Sequence, residues 1–211
     1  PTRYVERPWS DNMHALPEHE NSQQRAKASE RYGTAITEGL FMASRDGAKF
    51  KRWNEAFLPP GIERPGTWHY GHQYIGWSVV PTKSLLEGAP DELSLYAVES
   101  YWTGNSSALR RYTLRMDGFV SVNAPLVGGE FITKTLTFTG KTLHLNYATS
   151  AAGSILVEIQ DKRGKAIPGY AMEDCAELFG DTLDRSPVWK NGSDLSSLAG
   201  KPVRLRFVLK D

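Results

Sequence analysis

A single cysteine, Cys175, among 211 residues excludes an internal disulfide framework and any cysteine-rich zinc site. No run of 18 apolar residues occurs, so no segment is long enough to span a membrane as a helix. A strong charge of one sign is also missing: 25 Lys and Arg stand against 24 Asp and Glu, a net of +1. A nucleic-acid binder that relies on phosphate attraction carries a larger or more clustered positive excess, so no nucleic-acid partner is expected. The chain opens at Pro1 without a signal-peptide pattern, which processing or truncation would explain. No cofactor is expected.

What is present is ordinary for a globular protein: 40% hydrophobic and 23% charged residues, enough to exclude whole-chain disorder. At about 150 residues per domain, the length allows one large domain or two small ones. Six Trp, nine Tyr and eight Phe are a sizeable aromatic complement. β-Sheet cores and carbohydrate-stacking surfaces both use aromatics at this level, and composition does not separate them.

Residues 1–33 read as a polar segment of their own. Pro17 to Arg31 is rich in Glu, Gln, Arg and Lys without a broad apolar stripe, which suits a short solvated helix or an irregular loop. From Thr34 onward the period becomes two. Leu93, Leu95, Ala97 and Glu99 alternate with Tyr96 and Val98, and Ile155, Val157 and Ile159 alternate with Glu158 and Gln160. Val203, Leu205, Phe207 and Leu209 alternate with Arg204 and Arg206 in the same way. This is the pattern of half-buried antiparallel strands. Asp46-Gly47, Gly128-Gly129, Ala152-Gly153 and Arg163-Gly164 mark turns between them. The expected fold class is all-β, with a boundary near Asp117-Gly118: residues 34–118 carry long irregular connections, and residues 119–211 carry short, regularly spaced strands.

The stretch Arg110-Arg111-Tyr112-Thr113-Leu114-Arg115-Met116-Asp117-Gly118-Phe119-Val120-Ser121-Val122 is distinctive. Downstream come Ile167-Pro168-Gly169-Tyr170, Asp174-Cys175, Trp189 to Leu195, and Leu198 to Phe207. Upstream, Ser44-Arg45-Asp46-Gly47 precedes Phe50 and Trp53, a spacing that places a tight turn at Asp-Gly and returns an aromatic to the core. Together these resemble the C-terminal part of bacterial glycosidase-like proteins of the arabinanase/levansucrase/invertase superfamily, the five-bladed β-propellers. The resemblance spans roughly residues 34–211. It implies late propeller-blade material over 34–118, then a β-sandwich or jelly roll over 119–211. It further implies a secreted or periplasmic setting, and hydrolytic carboxylates lying in earlier blades outside this chain.

Glu99 is the best carboxylate in the chain, because its strand face is otherwise apolar. Burial there suits a general acid with a raised pKa. The competing reading is an ion pair with Arg110, Arg111 or Arg115, since buried charges are usually paired. The run from Trp68 to Trp77 is the densest constellation: Trp68, His69, Tyr70, His72, Tyr74 and Trp77 interleave rings with hydrogen-bonding groups. Rings match the C–H face of a sugar and polar side chains address its edges, though packing in a sheet core would use the same residues. Trp102 either rims that pocket or closes a hairpin. No metal site is assigned; Glu173, Asp174, Glu177, Asp181 and Asp184 form an acidic cluster that either collects Ca²⁺ or stands solvated. Cys175 reads as a small packed hydrophobe.

Three functions follow as expectations. The chain belongs to a glycoside hydrolase-like protein that acts on carbohydrate, or it is a non-catalytic carbohydrate-binding module, or its sandwich only braces a propeller. Unpaired blade edges would seek a partner strand, from another copy or from residues 1–33.

Overall fold

Period-two alternation becomes twelve strands, all paired antiparallel, in the computed structural model, which describes residues 2–6, 35–62, 73–99 and 108–211. The helical pieces among these residues are 3-10 turns of three residues, Met172–Asp174 and Ser196–Leu198. The protein is all-β. It divides into two compact units, Pro1–Val120 and Ser121–Asp211.

In the first unit, β1 (Thr2–Glu6), β2 (Ala35–Ser44) and β3 (Phe50–Leu58) form a three-stranded sheet in that order. Residues 2–6 therefore depart from the helical or irregular segment expected of the N-terminus. The run Thr-Arg-Tyr-Val is rich in strand formers, and it completes the hydrogen-bond ladder along one edge of β2. Arg3 lies directly opposite Glu38, and its Nη2 reaches Glu38 Oε2 at 2.5 Å. The expected helix or loop at 17–31 lies outside the described residues.

The second sheet of this unit is built on β6 (Glu92–Glu99), which pairs along its whole length with β7 (Ala108–Arg115). Two short strands, β4 (Tyr74–Ile75) and β5 (Val80–Thr82), pair with successive parts of the same β6. Leu58, Leu95 and Ala97 are buried between the sheets, with Phe57, Ile75 and Tyr112 packed around them. Gly39 allows close packing there: a Cβ would lie 2.7 Å from Ile75 Cδ1 and 3.1 Å from Leu58 Cβ. Phe119, at the end of the unit, stacks on Phe41 with ring centroids 5.3 Å apart.

The β2–β3 hairpin differs from expectation in one respect. The connection is a five-residue loop, 45–49, and Phe50 after it is exposed. Trp53 is the aromatic that packs, 5.1 Å from Phe41. The register explains this, because Phe50 pairs with Ser44 beside the loop, at the turn end of the hairpin, beyond the reach of the core.

In the second unit, β8 (Gly129–Ile132), β10 (Ser154–Asp161) and β12 (Val203–Lys210) form one sheet in the order β10-β12-β8. β9 (Leu145–Ala148) and β11 (Asp181–Arg185) form another. Ile155, Val157 and Ile159 from β10 and Val203 and Phe207 from β12 enter one core with Tyr147, Tyr170, Leu178, Trp189, Leu195 and Leu198. Val157, Phe207 and Phe131 are cross-strand partners in one row, and the two Phe rings stack at 4.7 Å. Trp189 is 3% exposed, and its indole N–H donates to the Val157 carbonyl at 2.7 Å, so its one polar atom is satisfied in the core.

The opposite face of β10 carries Glu158 and Gln160, both buried. Gln160 Nε2 donates to Glu158 Oε1 at 2.7 Å, and the Met172 N–H donates to Glu158 Oε2 at 3.2 Å. Arg206 approaches Glu158 at 3.7 Å and Glu130 at 2.6 Å. A carboxylate buried on this face is thus compensated by one amide, one backbone N–H and a guanidinium.

Candidate functional site

Trp68, His69, Tyr70, His72 and Trp102, all expected to contact sugar, lie outside the described residues. The end of that aromatic run is described, and it is shaped by β6. Gln73 is buried with a left-handed backbone, φ +67°, and its N–H donates to Val98 O at 2.9 Å. Tyr74 pairs with Val98 and Ile75 with Ala97, and the Gly76 N–H then donates to Tyr96 O at 2.7 Å. Ser78 is again left-handed, φ +76°, in the short connection before β5 rejoins β6. Between these two reversals Tyr74 is half-buried, and Trp77 is fully exposed, with a relative accessibility of 101%. The connection between β4 and β5 therefore presents one whole indole to solvent.

Glu99 closes the other end of β6. It is buried, at 6% exposure, on the same face as Leu93, Leu95 and Ala97. Its Oε2 meets Arg110 Nε at 2.6 Å, and its Oε1 accepts the Tyr112 hydroxyl at 3.1 Å. The Glu99 bond holds the Arg110 pKa above its ordinary value. Burial pushes the Tyr112 phenol up as well, partly offset by a hydrogen bond with Gln73. Both carboxylate oxygens are engaged, so the geometry is that of a structural ion pair. Arg111, on the opposite face of β7, bonds Glu92 and Ser94 instead, each at 2.7 Å.

The acidic residues of the second unit are not brought together. Asp174, 10% exposed, accepts Lys190 Nζ at 2.6 Å and the Ala171 N–H at 3.2 Å. The Lys190 hydrogen bond holds its carboxyl below the usual carboxylate range. Glu173, Glu177, Asp181 and Asp184 are exposed, with Asp181 and Asp184 on β11. Among the described residues no three His, Cys, Asp or Glu side chains are placed to hold a metal ion. Asp174 and Asp184 take different partners, Lys190 and His144, so their closeness in sequence builds no shared site. Cys175 packs against the core, its thiol accepting the Val157 N–H at 3.4 Å, and burial raises its pKa. It is not set up as a nucleophile.

One constellation is not foreseen by the sequence. Thr142 Oγ1 lies 2.7 Å from His144 Nε2, and His144 Nδ1 bonds Asp184 Oδ1. Hydroxyl, imidazole and carboxylate follow the order of a nucleophilic relay. The His and Asp side chains are, however, 55% and 71% exposed, so water surrounds the group where a hydrolase would hold an acyl substrate. The spacing Thr-x-His just before β9 was the local signal; Asp184, forty residues away, has none.

Compared with known protein families, with curated proteins and with solved structures, the chain matches none.

Proposed function

We propose that this chain is a non-catalytic, carbohydrate-binding part of a glycosidase-like protein, with the hydrolytic carboxylates supplied by residues outside it. The observation that carries the sugar-binding reading is Trp77. Leaving a large apolar side chain in water forgoes about 2–3 kcal/mol of burial free energy, which a stacked pyranose face would recover. The half-buried Tyr74, three residues before it on the same short edge segment, supplies a second ring. The engagement of Glu99 by Arg110 and Tyr112 supports the absence of a general acid among the described residues.

In this reading residues 34–118 are late propeller-blade material and residues 119–211 a β-sandwich. Its support is the sequence resemblance over residues 34–211 to the propeller glycosidases. For the sandwich we infer a bracing role. What favours this is the commitment of its buried polar groups, Glu158 and Asp174 among them, to partners within the unit.

The test is affinity electrophoresis of the chain against neutral plant and algal polysaccharides. Retardation by a glycan, abolished in Trp77→Ala with unchanged thermal stability, is the expected result. Retardation by no glycan, or retardation that survives Trp77→Ala, overturns the assignment of this site.

A further inference from the structure

The β2–β3 hairpin forms a second candidate surface that uses none of the residues around Trp77. An open groove of about 480 Å³ runs over Ala43, with Arg45, Asp46, Lys49, Lys51 and Trp53 around it. The register explains why it exists. Ala43 stands directly opposite Lys51, so a one-carbon side chain forms the floor where neighbouring rows carry large ones. Trp53 forms a wall, backed by Phe41 at 5.1 Å. Lys51 Nζ lies over the Trp53 ring, 4.7 Å from its centre, a cation–π contact that places an ammonium on the indole face.

The loop fixes the charge of the groove. Asp46 Oδ1 accepts the Ser44 hydroxyl at 2.8 Å and the N–H groups of Ala48 and Lys49 at 2.9 and 2.7 Å. The left-handed Gly47, φ +72°, lets the chain wrap round this carboxylate. Asp46 is thereby turned onto the backbone of its own loop. Among the described residues Arg45, Lys49 and Lys51 form no ion pair with any carboxylate, and all three are exposed. Three cations against one inward-turned anion leave the groove positive beside an aromatic wall.

We propose that this hairpin groove binds an anionic glycan, a sugar chain bearing carboxylate or sulfate groups. Lys49, Lys51 and Arg45 meet the anionic substituent, and Lys51, drawn to it, uncovers the Trp53 ring for the pyranose C–H face. A neutral sugar leaves the three cations without partners. A nucleic acid would satisfy the cations, but the chain's near-zero net charge gives it no wider phosphate-tracking surface.

Binding of the full chain to polygalacturonate, to a sulfated galactan, to a neutral galactan and to single-stranded DNA is measured by isothermal titration at low salt. Binding of at least one anionic glycan, with tenfold or more weaker binding of the neutral galactan and DNA, is expected; the two anionic arms distinguish carboxylate from sulfate recognition. Lys49→Glu/Lys51→Glu, both at exposed positions, is expected to weaken that binding by tenfold or more, and raising salt to weaken it further. Trp53→Phe, which keeps a ring against Phe41, is expected to weaken it several-fold. Failure of both anionic glycans to bind, unchanged affinity in the double variant, or equal binding of DNA overturns the proposal. Trp77→Ala is expected to leave this affinity unchanged, so that failure at one site is read separately from failure at the other.

Discussion

Glu99 and Arg110 meet at 2.6 Å across β6 and β7 as diagonal neighbours, since Arg110 stands opposite Ala97 and Glu99 opposite Ala108. This contact decides what the most suggestive carboxylate in the chain does. A general acid needs an oxygen facing the substrate, whereas here one oxygen meets the guanidinium and the other a phenol. Glu99→Gln is expected to lower the melting temperature of the first unit, because a charge-assisted pair is replaced by a neutral contact. Glycan binding at Trp77 should persist. Thermal denaturation beside affinity electrophoresis checks both; a stable variant that has lost glycan binding contradicts the structural role.

The Asp46 carboxylate should titrate far below an ordinary aspartate. Hydrogen bonds from the Lys49 and Ala48 N–H groups and the Ser44 hydroxyl lower its pKa to about 2. Because the folded value is depressed, the loop gains stability above the ordinary carboxylate pKa and loses it as pH falls through about 2. Carboxyl-carbon NMR should give a midpoint near that value. A midpoint near 4 would mean that the loop is not held this way.

Calcium should have no effect on the second unit. Asp174, the most buried member of the acidic cluster, is already paired with Lys190. Melting temperature with millimolar calcium and with chelator should coincide. Lys190→Ala should raise the Asp174 pKa toward the ordinary range, since the Lys190 hydrogen bond is the largest cause of its depression. The stability the pair confers is present above the ordinary aspartate pKa and disappears as pH falls through the depressed one.

The core of the second unit should respond steeply to volume. Ile159 is fully buried in it. Ile159→Val is expected to cost about 1 kcal/mol and Ile159→Ala about 3–4 kcal/mol in urea unfolding. Equal, small effects of both would mean that this core is loosely packed.

How much of this was legible in advance varies with the range of the interaction. Alternation along Leu93 to Glu99 and Ile155 to Ile159 announced strands and their buried faces, because side chains on a strand point alternately to either side. The Ser44–Asp46–Gly47 turn was equally local, a short side chain bonding backbone two and three residues ahead. Reading Phe50 as the returning aromatic failed because loop length, five residues here, shifts which position faces the core.

The sequence by itself determined that the chain would be all-β, without disulfides, and where several of its turns would fall. These are consequences of period, glycine placement and a single cysteine, all readable within a few residues. Only the tertiary structure decided which arginine meets Glu99. Arg110, Arg111 and Arg115 are equivalent partners until the β6–β7 register puts Arg110 and Tyr112 on Glu99's face and Arg111 on the face of Glu92 and Ser94. Register is set by pairing between strands, so no local pattern encodes it. The same holds for Trp189 on Val157, the dispersed acidic cluster, and the groove over Ala43. Each depends on what a second strand or loop places opposite, and long-range packing makes that choice.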